Sequence, residues 1–174
     1  MRSEKEMLGL ILNMAEEDER VRAVIMNGSR VNPNAPRDFF QDYDIVFIVT
    51  DVSLFVRDRS WISRFGELMI MQTPEEMDDP QPENDGRFTY LMQFVDGNRI
   101  DLSLYPVAKI KEMERDSLSL LLLDKDGIVE PFPPPSEMDY IPKPSGAKHF
   151  GYSYPYNDDE RVTAYLRHIK ILPC

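Results

Sequence analysis

A chain of 174 residues, 42% of them hydrophobic, is long enough for one domain with a real core and a short appendage. Its formal net charge of −11 repels nucleic acid at long range, which disfavours a DNA- or RNA-polymerising role and suits a cationic small substrate. One Cys and two His exclude a disulfide framework and a Cys-rich zinc site, so a metal site here has to be built from carboxylates.

Residues 3–20 predict a first helix. Ser3 and Glu6 fit a capping box, and Met7, Leu10, Ile11 and Met14 form one apolar stripe. Val21 to Met26 predicts a strand that delivers the chain to Gly28-Ser29. Residues 30–41 carry Pro33 and Pro36 and predict a connector. Asp42-Tyr43-Asp44 then runs into Ile45 to Val49, a stretch apolar on both faces, as in a strand covered on both sides.

That segment carries the chemistry. Residues two apart on a strand share a face, so Asp42 and Asp44 project together from its start. Two carboxylates held side by side repel each other unless a cation sits between them. Oxygen-only ligands favour Mg²⁺, which takes one or two carboxylates plus substrate phosphates. Gly28 permits a tight turn with close backbone approach, and the N–H groups and Ser29 hydroxyl after it can hold phosphate oxygens. Two roles are open to Arg30: a contact to a triphosphate, or a surface charge or ion pair with Asp38.

Farther along, residues 52–65 predict a second helix with Leu54, Trp61, Ile62 and Phe65 on one face and Gly66 as its stop; Trp61 reads as core. Leu68 to Gln72 predicts a strand. Residues 73–86 form an acidic, Pro-containing loop, either a rim for a polycationic acceptor or, the favoured reading, a solvated insertion. Arg87–Val95 and Asn98–Tyr105 predict a hairpin around the Asp96-Gly97 turn. Asp101 falls mid-strand among apolar residues, where an unpaired acid is costly. The favoured reading makes it a third carboxylate of the metal site; the other is an edge-strand Asp facing water.

A charged helical stretch over 107–117 and a strand over Leu118–Leu123 complete the predicted domain. Asp124-Lys125-Asp126-Gly127 repeats the D-x-D spacing, but it ends a strand and runs into Gly, so it reads as a turn. Residues 130–144 are Pro-rich and read as an extended linker. In the tail, Arg161 to Leu172 fits one helix. The domain division expected is 1–130 for the catalytic domain and 131–174 for linker and short tail. No apolar run reaches the length of a membrane span and the charged start is unlike a signal peptide, so a cytoplasmic protein is expected.

The ordered combination of a Gly-Ser turn, a connector and a D-x-D on an apolar strand resembles the nucleotidyltransferase superfamily, with its DNA polymerase beta-like fold. Four segments narrow the likeness. They are Asn27-Gly28-Ser29-Arg30, then Phe39-Phe40-Gln41-Asp42-Tyr43-Asp44-Ile45, then Asp96 through Leu102, then Leu122 through Gly127. Together they resemble the aminoglycoside 6-adenylyltransferases, that is, streptomycin adenylyltransferases, over about Met1 to Phe150.

The resemblance implies an α+β fold with a mixed central sheet flanked by helices. It implies transfer of AMP from ATP to a hydroxyl of an aminoglycoside such as streptomycin, conferring antibiotic resistance, with Mg²⁺ and release of pyrophosphate. Gly28, Ser29 and Arg30 would face the nucleotide. Asp42, Asp44 and Asp101 would be the catalytic metal carboxylates, holding two Mg²⁺ ions. Partners expected are ATP and a cationic aminoglycoside, with no nucleic acid or membrane, in a monomer or homodimer. The family continues into a helical C-terminal domain, and Gly151 onward does not resemble it, so that domain is expected to be truncated. Two further functions stand beside the leading one: adenylylation of a protein acceptor, and nucleotide binding without turnover.

Overall fold

The structure is a computed structural model, and it describes residues 1–35, 41–77, 85–133 and 170–171. Helix α1 (Glu4–Glu17) starts where its chemistry dictates. The Ser3 side chain accepts from the Glu6 N–H, and the Glu6 carboxylate accepts from the Ser3 N–H at 2.7 Å, which completes the predicted capping box. Met7, Ile11 and Met14 of the predicted stripe are buried with Ala15.

Strands β1 (Val21–Asn27), β2 (Tyr43–Val49), β3 (Leu68–Gln72), β4 (Phe88–Phe94), β5 (Arg99–Pro106), β6 (Ser119–Asp124) and the two-residue β7 (Lys170–Ile171) form one sheet. Its order is β6-β1-β2-β5-β4-β3-β7. All its pairings are antiparallel except β2 with β5, which are parallel. The sheet is therefore mixed, as expected. Both faces are covered. One carries α1, Phe55, Trp61 and Phe65; the other packs Ala23, Ile25, Val46, Ile48 and Tyr105 under Val107, Ile110 and residues 128–132. β2 runs between the two layers, which explains why Ile45 to Val49 is apolar throughout.

Several elements differ from expectation. The helix predicted over 52–65 is two pieces, α2 (Val52–Arg57) and a 3-10 turn (Ser60–Phe65). The break sits at Asp58, whose carboxylate accepts from the Ser60 N–H at 3.0 Å, a local bond that competes with helix continuation. Breaking the helix re-phases its faces: Phe55 is buried and Leu54 is exposed. Trp61 is core, as read; its indole N–H donates to the Phe55 carbonyl at 3.1 Å and its ring meets Phe55, Phe65 and Tyr90 edge-on.

The charged stretch after β5 is a 3-10 turn over Val107–Glu112 rather than a longer helix. In the tail, Lys170 and Ile171 pair antiparallel with β3, so the helix predicted over 161–172 does not extend through them. Residues 161–169 lie outside the described residues, as do most of the Pro-rich linker and positions 78–84 of the acidic loop.

The hairpin holds as predicted. Its Asp96-Gly97 turn is clasped by Arg2, whose Nε donates to the Asp96 carboxylate at 2.6 Å and holds that acid well below the usual carboxylate range. The second D-x-D is a turn, as read. Asp124 accepts from the N–H groups of Asp126, Ile128 and Val129, while Asp126 pairs with Arg22. No described helix is long and apolar enough to cross a membrane.

Candidate active site

The parallel pairing of β2 with β5 sets Asp44 directly opposite Asp101. Aligned residues of a parallel pair share a face, so both carboxylates leave the sheet on the same side. Asp42 precedes β2 and lies two residues from Asp44. All three acids predicted for the metal site therefore stand at one end of two neighbouring central strands.

The electrostatics record their crowding. Asp44 is pushed up from its ordinary 3.8 to about 7, first by burial, then by the negative charges of Asp101 and Asp42. Arg99 and Arg30 offset part of this. Burial also raises Asp101, against the pull of Arg99.

The Gly-Ser turn abuts the same acids. Asn27, the last residue of β1, is opposite Asp44 in the antiparallel β1–β2 pair. Gly28 to Arg30 then makes one 3-10 turn, with the Gly28 N–H donating to the Leu118 carbonyl at 3.2 Å. Gly28 has φ +75, and a Cβ there would stand 2.3 Å from Asp44 Oδ2. The position is thus closed to any side chain on two counts: left-handed backbone and the space the carboxylate fills. Ser29 is exposed at the turn.

Arg30 is engaged beneath this turn. Its Nε donates to the Asp42 carbonyl at 2.9 Å and its Nη2 to the Gln41 carbonyl at 2.7 Å. The guanidinium lies over the Tyr43 ring at 3.7 Å and approaches Glu4 of α1. It ties the Gly-Ser turn to the start of β2. Asp38, the ion-pair partner considered for it, lies outside the described residues.

Two site residues were not singled out from sequence. Asn27 is buried with no hydrogen-bond partner for its Oδ1, beside Asp44. Its signal was its place, one residue before the turn glycine. Arg99 lies two residues before Asp101 on the same strand face. Its Nε and Nη2 donate to Oδ1 and Oδ2 of Asp101, both at 2.8 Å, and its Nη1 is 3.4 Å from Asp42 Oδ2. One guanidinium thus spans the first and third acids.

Whether these residues suit a divalent ion can be judged from the donor set. Three carboxylates supply only hard oxygen donors, their mutual repulsion is relieved by a cation, and the orphaned Asn27 oxygen adds a fourth acceptor beside them. Among the described residues no three such side chains already converge as a finished metal cage. The Arg99 fork occupies both Asp101 oxygens. The donor set fits a hard divalent cation, with one lone pair left on each Asp101 oxygen.

A mixed sheet that brings a Gly-Ser turn and three acids from two central strands together is the architecture of a nucleotidyltransferase. The solved structure of an aminoglycoside 6-adenyltransferase from Bacillus subtilis superposes on this one with a TM-score of 0.61 and 37% identity, covering 75% of this chain and 44% of that one. The sequence profile of the Streptomycin adenylyltransferase family matches residues 1–148, and the chain belongs to that family. Among curated relatives, the aminoglycoside 6-adenylyltransferase of Campylobacter jejuni is 46% identical over 147 residues, covering 83% of this chain and 51% of the relative. That of Bacillus subtilis (strain 168) is 41% identical over 152 residues, covering 86% and 54%. The chain spans about half the length of the curated relatives it matches.

The geometry generates two predictions. Gly28→Ala forces a Cβ onto Asp44 and an L side chain into left-handed backbone. Urea unfolding should register a loss of about 1–3 kcal/mol. Asp44→Asn should do the opposite. An acid whose folded pKa exceeds its unfolded value penalises the fold as pH rises between the two and by a constant amount above both. With divalent ions chelated, Asp44→Asn should therefore be about 1–3 kcal/mol more stable than the parent at pH 8, after allowance for solvent screening. The gain should shrink as the pH falls from about 7 toward 3.8.

Proposed function

We propose that this chain carries the nucleotide-handling half of an aminoglycoside adenylyltransferase. It would transfer AMP from ATP to a hydroxyl of a cationic aminoglycoside such as streptomycin, and so confer resistance. The observation that carries this reading is the direct register of Asp44 with Asp101 beside the Gly28 turn. A structural acid would be placed at an edge or given a lone cationic partner; here two acids from central strands are stacked against each other and against a bend with room for little but backbone.

In this reading Gly28 and Ser29 hold triphosphate oxygens through backbone N–H groups and the exposed hydroxyl. Arg30 keeps that turn fastened to the Asp42 backbone. Asp42, Asp44 and Asp101 would hold divalent ions, two in number, and such ions would supply charge neutralisation for an in-line displacement. The acceptor hydroxyl oxygen forms a bond to the α-phosphorus and gives its proton to one of the carboxylates, the bond from that phosphorus to the bridging oxygen breaks, and pyrophosphate leaves. The chain's own contribution is positioning: the register of β2 and β5 fixes the acids, and the Gly28 turn aims the phosphates.

The net charge of −11 favours a polycationic acceptor through long-range attraction and disfavours nucleic acid. Domain limits of 1–130 for the catalytic unit and 131–174 for linker and tail belong to this proposal; the family profile runs on to residue 148, and β7 joins the same sheet. ATP as co-substrate accords with a cytoplasmic location.

Incubation of the protein with ATP, Mg²⁺ and streptomycin should release pyrophosphate, as read by a coupled phosphate assay. The double variant Asp42→Asn/Asp44→Asn should lower the rate by at least about a hundredfold. Equal release from parent and variant would remove the adenylyl-transfer reading.

A further inference from the structure

The guanidinium of Arg99 rests on two of the three acids proposed as metal ligands. It grips both oxygens of Asp101 in a two-pronged fork and reaches Asp42 with its remaining nitrogen. It comes from the same strand as Asp101. An Arg-carboxylate fork takes one lone pair on each oxygen and leaves one on each. A metal bound through Asp101 would use a remaining lone pair, beside the positive charge of the guanidinium. The fork and the ion therefore compete electrostatically for the same carboxylate.

We propose that Arg99 is a built-in counter-cation for the acidic cluster: it holds Asp101 and Asp42 in place and competes with a divalent ion for their carboxylates. This rests on the metal-site reading above and adds a role for a residue outside the predicted ligand set. Two features support it. Arg99 is only partly exposed and is therefore held against the cluster rather than extended into solvent. Arg99 and Asp101 are also two apart on β5, so the pair forms within one rigid strand and needs no loop to order first.

The consequence is a trade. Arg99 stabilises the cluster without metal and weakens metal affinity by the same competition. Removing it should leave three crowded carboxylates that bind a divalent ion more tightly and depend on it more for stability.

The test titrates Mn²⁺ alone into chelator-stripped full-length protein by calorimetry at low ionic strength, for the parent, Arg99→Gln, Arg99→Lys and Asp44→Asn. Thermal unfolding in EDTA and in Mn²⁺ is run alongside. Arg99→Gln should bind Mn²⁺ about three- to tenfold more tightly than the parent, in line with a partly exposed ion pair. Its melting temperature should fall in EDTA and recover with Mn²⁺ by more than the parent's rises. Arg99→Lys keeps the charge but cannot occupy both Asp101 oxygens, so it should fall between; it also covers the case in which Arg99→Gln does not fold.

Equal or weaker Mn²⁺ binding in both Arg99 variants, with Asp44→Asn abolishing the parent's binding, overturns the role of Arg99 and leaves the metal site standing. No Mn²⁺ binding by any of the four proteins overturns both.

Discussion

The parallel contact between β2 and β5 is the constraint on which the rest of this molecule depends. Among the described residues it is the one parallel pairing in the sheet, and it sets Asp44 opposite Asp101. Antiparallel neighbours continue outward from each of these strands, so neither can slide without breaking ladders on both sides. A shift of one residue would send an acid to the helix-covered face, among Phe47, Leu102 and Leu104. The hydrophobic pattern of the two strands thus enforces an arrangement that is electrostatically unfavourable in itself. Among the described residues, Arg30 and Arg99 offset part of the resulting repulsion.

Those arginines act differently. Arg30 neutralises from below: it grips the backbone entering β2, stacks on Tyr43 and reaches α1, so it serves the shape of the turn. Arg99 acts on the carboxylates themselves. Gly28 is packed so closely on Asp44 that the Gly-Ser turn and the acids form one unit. Coupling of this kind is what positional catalysis needs, because a phosphate held by the turn then has a fixed place relative to all three acids.

Much of this was legible in the sequence, for reasons that can be named. The strands β1 to β6 were found because each is a short apolar run bounded by turn residues. The clustering of the three acids was anticipated because an Asp at the mouth of, or within, an apolar strand is costly unless it has a partner there. The capping box located α1, and the Asp96-Gly97 pair located the hairpin.

What escaped was governed by contacts that a linear pattern does not carry. The helix over 52–65 broke at Asp58 because a local side-chain bond outcompeted the helix, which turned Phe55 inward and Leu54 outward. The stretch after β5 was helical only as a 3-10 turn. Arg99 was given no role, since its partners lie two residues and 57 positions away respectively. Asn27 passed unnoticed because an Asn before a Gly ordinarily means a turn and nothing more.

The central claim is that Asp42, Asp44 and Asp101 together hold divalent ions against a triphosphate seated on the Gly28-Ser29 turn. A crystal structure of the protein with a non-hydrolysable ATP analogue and Mg²⁺ tests it most directly. The account predicts metal density between oxygens of all three aspartates and the phosphates, with the β- and γ-phosphates against the backbone of Gly28 and Ser29. Nucleotide bound elsewhere, or a metal ligated without Asp101, would contradict it.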